Sequence, residues 1–453
     1  MLDNKAAATA TSSDDHIESS VYSAHLAQIN ETRHVLAKED IFNDRGVLLV
    51  KAGKAITPAA SRAIAQFKLI KPLQDSITIE NEVSANELMQ NFSALLAKDG
   101  ILQSIHARYE MASLLGLQCS HYENLPMLKQ KITVMSERMG ETFDRTLSCT
   151  WLALLIAKEM HLAPTEITNV FLAALAHDIG MLHISPQTLD KKEQLSAEEW
   201  RQIQAHVVIG KTILAAIPNI HPSVCLAVLE HHERCDGTGY PFGKIESELS
   251  LIGQIIALSD SVIAVYFNRF KPEGRGWRDV LPIIQMNNHA FLYRNYEVLI
   301  TILRNSYLPV TRAVDDAAML GFINKIIARN AQIKCWFNEV KEFMGLIGYS
   351  HGERKLHALQ NVILHVATSV NASGIFQEGL IEYLEQIQNE KLKDSYRHVE
   401  DIFLMQEEIV FHLQRLNRMV QTHLISEDKK NAVIKDLLES CVKKSDEYVQ
   451  AMH

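Results

Sequence analysis

Phe171-Leu172-Ala173-Ala174-Leu175-Ala176-His177-Asp178-Ile179-Gly180 is the stretch on which the reading of this chain turns. Its apolar residues recur at helical spacing, which predicts a helix whose last turn is His177-Asp178. Gly180 follows, so an imidazole and a carboxylate stand at a helix end, where side chains project into a cleft. Working outward, the theme repeats. His206 falls in the helix that the capping box Ser196-Ala197-Glu198-Glu199 opens. His231-His232 ends the apolar run Val224-Cys225-Leu226-Ala227-Val228-Leu229, and Asp260 closes the run from Leu251 to Leu258. With Glu141 upstream, Glu141, His177, Asp178, His206, His231, His232 and Asp260 crowd one part of the chain.

Taken singly, each is ordinary: a lone histidine on an apolar helix is usually packed, and Asp236-Gly237-Thr238-Gly239 is a common turn. Four helix-borne positions that can converge are less ordinary. Imidazole with carboxylate suits Fe, Mn, Ni, Zn or Mg, and a carboxylate such as Asp178 can bridge two ions. Two bridged ions lower the pKa of a shared water and neutralise charge on phosphoryl oxygens, which is the chemistry of phosphoester hydrolysis.

The order and spacing of these residues resemble the HD-GYP group of the HD superfamily, bacterial cyclic di-GMP phosphodiesterases. The intervals are 28 residues from Asp178 to His206, 25 from His206 to His231 and 28 from His232 to Asp260. Gly239-Tyr240-Pro241 stands intact after His231-His232-Glu233 and Asp236-Gly237-Thr238. The resemblance covers roughly residues 126–306 and implies a mainly α fold with an all-helical HD-type core. It implies His177, Asp178, His206, His231, His232 and Asp260 as ligands of one or two divalent ions of the Fe, Mn, Mg or Ni class. Glu141 matches a further ligand of some members. Asp178 and His206 fall in the catalytic set, and Arg269 matches a basic residue that contacts the nucleotide. Gly239, Tyr240 and Pro241 belong to a loop associated with substrate access and with docking GGDEF-type diguanylate cyclases.

Two positions depart from that pattern. The first metal-binding histidine of the family falls at Arg145, whose guanidinium has no free lone pair and cannot coordinate a cation. The lysine after the His-Asp pair is replaced by Met181, which offers no charge to a phosphate. Arg145 has two readings: a cation in the weakened metal position, paired with Asp178 or Asp260 and presenting a fork to phosphate, or a partner for Glu141 one turn away. Three functions therefore stand side by side: a working phosphodiesterase, an impaired domain that binds cyclic di-GMP, and a protein-docking scaffold.

The rest of the chain frames that core. Residues 1–32 read as a flexible lead without a signal-peptide pattern. Residues 33–82 read as a small α/β domain: Gly46 to Lys51 and Ser76 to Glu80 carry strand signals, and Thr57-Pro58 a helix start. Residues 83–125 form a helical connector, 126–308 the phosphohydrolase-like domain, and 309–453 a helical bundle or dimer interface. At 453 residues, several domains are the natural division. The hydrophobic share of 47% and charged share of 22% are those of an ordinary folded protein. A net charge of -9 argues against a sequence-independent grip on nucleic acid. Six cysteines without a CxxC pair fit a reducing cytoplasm. The longest apolar runs fall short of the ~20 residues a bilayer requires, so no membrane span is expected.

Overall fold

Proline at the first helical position, where its missing amide costs nothing, opens Pro58–Ala65, Pro126–Arg138, Pro164–Ala176 and Pro222–Glu230. Helices make up most of the computed structural model, which describes residues 14–30, 32–193, 195–348, 354–426 and 432–452. The chain divides into two compact units, Met1–His232 with Ser250–Asp260, and Glu233–Leu249 with Ser261–His453. The division runs through the segment 126–308 that the sequence groups together.

The first unit begins with α1 (Asp14–Ile29), β1 (Val35–Ala37), β2 (Ile41–Phe42), β3 (Leu48–Val50), α2 (Pro58–Ala65) and β4 (Ile77–Ile79). β1 pairs antiparallel with β4, matching Val35 to Ile79, and β2 pairs antiparallel with β3. The hydroxyl of Thr57 accepts from the Ala60 amide at 3.2 Å, capping α2. The lead expected to be flexible is helical from Asp14, and residues 1–13 lie outside the described residues. Tyr22, Leu26 and Ile29 are buried. Their spacing of four and three residues sets them on one face of α1, which gives that helix a packing partner.

Among the described residues, ten further helices lead up to His232. They are α3 (Ala85–Ala97), α4 (Gly100–Arg108), α5 (Met111–Tyr122), α6 (Pro126–Arg138), α7 (Gly140–Glu159) and α8 (Pro164–Ala176), then, after a 3-10 turn over Ile179–His183, α9 (Pro186–Leu189), α10 (Ala197–Gln204), α11 (His206–Ala215) and α12 (Pro222–Glu230). α7 is buried on every side from Thr146 to Ala157 and α8 from Val170 to Ala176, so both are core helices. The capping box at Ser196 forms, with Ser196 N donating to Glu199 at 2.7 Å. The helix it opens ends at Gln204, however, and His206 begins a helix of its own after Ala205.

Close approach explains two glycines. A Cβ on Gly180 would lie 2.0 Å from the carbonyl oxygen of His206, so only glycine lets the 3-10 turn rest on α11. A Cβ on Gly210 would meet Val228 at 3.1 Å, which holds α11 close to α12.

α13 (Leu251–Val265) continues as a π turn through Tyr266–Phe270. Among the described residues, the span Leu251–Phe270 is long and apolar enough to cross a bilayer by length and composition alone. It is 61% buried within the protein and carries Asp260, and a core helix has the same composition.

The second unit contains α14 (Val280–Met286), α15 (Tyr293–Asn305), α16 (Met319–Ile347), α17 (Arg354–Ser373), α18 (Glu378–Glu390), α19 (Tyr396–Ser426) and α20 (Ala432–Met452). Ile323, Ile326, Ile333, Trp336 and Val340 form the buried stripe of α16. Trp336 also donates to Ser445 of α20 at 3.0 Å. Buried charge ties α19 to the start of α14. Asp279 receives Arg397 at 2.8 Å and Arg275 at 3.5 Å, and Arg275 also reaches Glu400 at 3.1 Å.

Candidate metal centre

Three histidines enter the site in the same way, each from a helix end. His177 caps the C-terminus of α8 and donates Nδ1–H to the carbonyl of Ala174 at 2.7 Å. His231 caps the C-terminus of α12 and donates to Val228 at 2.7 Å, and His206, the first residue of α11, donates to Ile203 at 2.6 Å. A carbonyl only accepts, so each ring carries a proton on Nδ1 and turns its Nε2 the other way. The bond to the carbonyl three residues back sets both tautomer and direction.

Those Nε2 atoms converge on Asp178. His206 Nε2 lies 3.5 Å and His231 Nε2 4.0 Å from Asp178 Oδ1, and the two nitrogens are 3.4 Å apart. Asp178, His206, His231 and His232 offer one ligand atom each within 4.8 Å of one another. An ion with bonds of about 2.0–2.2 Å spaces its ligands by up to about 4.4 Å, so the group has the size of a coordination shell. Two neutral imidazoles with lone pairs facing at that range repel unless a cation lies between them. The donor set of one carboxylate and three imidazoles fits a divalent ion of the hard to borderline kind.

His177 and Asp260 flank the group. His177 Nε2 is 3.3 Å from Asp178 Oδ2 and 3.9 Å from Asp260 Oδ1. Burial works against its charged form, but Asp178 and then Asp260 outweigh burial and push its pKa up to about 9. For Asp178 burial opposes ionisation, yet His177, His206 and His231 hold its carboxyl well below the usual range. Burial lowers His206, and burial with the neighbouring His177 and His206 lowers His231, which keeps both rings neutral as ligands must be.

Arg145, on α7, extends to Asp260, with Nη2 4.0 Å from Oδ1. Of the two readings of this arginine, the pairing with Asp260 is the one that forms. Glu141 is not among the clustered residues and lies exposed in the first turn of α7. Met181 sits half-buried in the turn after Asp178.

The remaining residues singled out by the sequence belong to the second unit. Arg269 faces Glu407 at 3.5 Å and Glu408 at 3.6 Å. Gly239, Tyr240 and Pro241 lie in the loop Glu233–Leu249, with a cis bond between Tyr240 and Pro241. Positive φ falls at Gly237 and Gly243 rather than at Gly239. Glu233, to which the sequence reading assigned no role, is fully buried, and its carboxylate accepts from the amides of Phe242 (2.7 Å) and Lys244 (2.9 Å). An acidic residue directly after paired histidines is the signal that marks it.

Residues 125–291 match the family model described as HD domain. A cyclic di-GMP phosphodiesterase of Thermotoga maritima is 37% identical over 141 residues, covering 30% of this chain and 38% of that protein. A cyclic di-GMP phosphodiesterase of Pseudomonas aeruginosa is 30% identical over 145 residues, covering 32% and 34%. A 3'3'-cGAMP-specific phosphodiesterase of Vibrio cholerae is 37% identical over 131 residues, covering 28% and 26%. The chain thus spans about a third of the length of these curated relatives. A solved structure of an HDG"Y"P protein from Bdellovibrio bacteriovorus aligns with a TM-score of 0.33 and 15% identity, over 59% of this chain and 95% of that one. Residues 125–291 thus match the HD domain family and are similar to cyclic di-GMP phosphodiesterases, and their motifs resemble those of its HD-GYP group.

Proposed function

We propose that this chain is a metal-dependent phosphodiesterase that hydrolyses cyclic di-GMP. The observation that carries the reading is the convergence of Asp178, His206, His231 and His232 within 4.8 Å, inside a domain whose relatives are named for that activity. A divalent ion held there would supply an activated water and neutralise charge on the phosphoryl oxygens. The protein's own part is orientation: the Nδ1 bonds to Ala174, Ile203 and Val228 fix three rings before any ligand arrives.

The pairing of Arg145 with Asp260 favours one ion over two, with the guanidinium as a fixed cation offering a fork to phosphate. Met181 supplies no charge beside the His-Asp pair, which slows turnover by about 10²- to 10³-fold relative to a site with a preorganised cation there. Those two residues favour a second reading, an impaired domain that binds the nucleotide and signals its presence. Glu141 as a further ligand, Arg269 as a nucleotide contact, GGDEF-type cyclases at the Gly239-Tyr240-Pro241 loop, a homodimer and a cytoplasmic location belong to the same proposal.

Incubation with cyclic di-GMP and Mn or Fe, followed by separation of products, tests it. Linear dinucleotide or GMP is expected from the wild type and none from His206→Ala. Tight nucleotide binding with no product under any metal would establish the second reading. Arg145→His is expected to raise the metal content above that of the wild type, and a wild type already holding two ions would sink the single-ion arrangement.

A further inference from the structure

The loop Glu233–Leu249 follows directly on His231 and His232, and its own residues share the work of holding it with side chains from the C-terminal helices. Glu233 closes it through the Phe242 and Lys244 amides. Asp236 Oδ1 accepts from the Thr238 amide at 3.0 Å and from the Thr238 hydroxyl at 2.6 Å. This local frame leaves three acceptors facing outward: the carbonyls of Asp236 and Thr238, and Asp236 Oδ2.

Each of the three is met by a side chain from the C-terminal helices. Asn361 of α17 donates to the Asp236 carbonyl at 2.8 Å. His365, one turn on, donates Nδ1–H to Asp236 Oδ2 at 3.2 Å. Arg415 of α19 donates from one nitrogen to the Thr238 carbonyl at 2.9 Å and to its hydroxyl at 2.7 Å. The lock is built inside the fold, since His365 is buried and Asp236 nearly so. Beyond the anchored end, Phe242 is 54% exposed. An aromatic ring held by the backbone of an ordered loop is a ready stacking face for a nucleobase.

We infer that Arg415, with His365 and Asn361, is a positioning residue for the reaction: it orders the loop that continues from the metal ligands, so that nucleotide binding needs no ordering of the loop. The physical reason is preorganisation. A loop of this length left free loses conformational entropy each time it closes on a ligand, and fixed hydrogen bonds from a packed helix remove that loss in advance. The substrate part of the inference rests on the phosphodiesterase reading; the ordering of the loop does not.

The test uses the full chain with Arg415→Met, Arg415→Lys and Asn361→Ala, measuring steady-state kinetics on cyclic di-GMP and amide hydrogen exchange across residues 236–249. Arg415→Met is expected to raise KM by about tenfold, with kcat changed by less than about twofold, and to speed exchange at Thr238, Phe242 and Lys244 by about tenfold. Arg415→Lys keeps a cationic donor but not the planar guanidinium and is expected to recover part of both. Asn361→Ala, a milder change, shifts both in the same direction and keeps the question open to decision should Arg415→Met fail to fold. Unchanged exchange, or a KM that falls, overturns the inference. A wild type that hydrolyses no cyclic dinucleotide removes the functional reading instead, and local acceleration of exchange then still upholds the loop anchor while its absence still overturns it.

Discussion

Two clusters of buried ionisable groups, one in each unit, are built on opposite plans. In the first, Asp178, His206, His231 and His232 turn acceptor atoms toward one another within 4.8 Å. In the second, every carboxylate of the Asp279, Glu400 and Asp401 set faces a guanidinium, with Arg397 at 2.8 Å from Asp279 and 2.6 Å from Asp401. Buried charge that is paired satisfies itself, whereas acceptors converging on a common point need a cation from outside. The difference separates a site from a scaffold without reference to any motif. It also gives Arg145 its meaning, because its pairing with Asp260 brings one element of the second plan into the first cluster.

The largest expected effects come from breaking one member of each cluster. Asp279→Ala leaves Arg275 and Arg397 buried beside a lost partner and should destabilise the second unit by about 3–5 kcal/mol, with metal binding retained. His231→Ala should weaken metal binding by more than about 100-fold and abolish hydrolysis, while the metal-free protein unfolds no earlier than the wild type. Metal titration beside denaturation followed by tryptophan fluorescence reads both, and a His231→Ala protein as unstable as Asp279→Ala would collapse the distinction.

Gly180→Ala probes the frame that brings the first cluster together. The added methyl meets the His206 carbonyl at 2.0 Å, so the turn must move off α11 at a cost of about 1–3 kcal/mol, and metal affinity falls with it. A variant with wild-type stability and affinity would mean that the close approach does not set the geometry of His206.

The smallest expected effect is a pH dependence confined to the second unit. Burial, then the charges of His365 and Arg415, hold His412 down at about 3, with Asp236 opposing. Glu408 also faces it, at 3.6 Å. Below an unfolded pKa of about 6.5 the unfolded chain binds the proton and the folded one does not, so stability is complete above about 6.5 and declines as pH falls toward 3. The decline should reach at most about 2 kcal/mol between pH 6.5 and 5, and His412→Gln should flatten it. Denaturation midpoints across that range decide the matter, and a slope unchanged in the variant would assign the dependence to other groups.

Much of this was legible before any coordinates. The helix ending at His177-Asp178, the paired histidines after Val224 to Leu229 and the capping box at Ser196 are local patterns, fixed by which residues end, start or line a helix. The lead was misjudged because Tyr22, Leu26 and Ile29 are a short stripe in a polar segment and gain their burial only from what packs on them. The sequence by itself determined the helical class, the candidate ligands around Asp178 and the two departures at Arg145 and Met181, because each rests on residue type and near spacing. Only the tertiary structure decided that Arg145 turns to Asp260 and that Arg415 secures Thr238 from 177 residues away. Such pairs have no period along the chain; they exist because packed helices bring a donor and an acceptor to the same place.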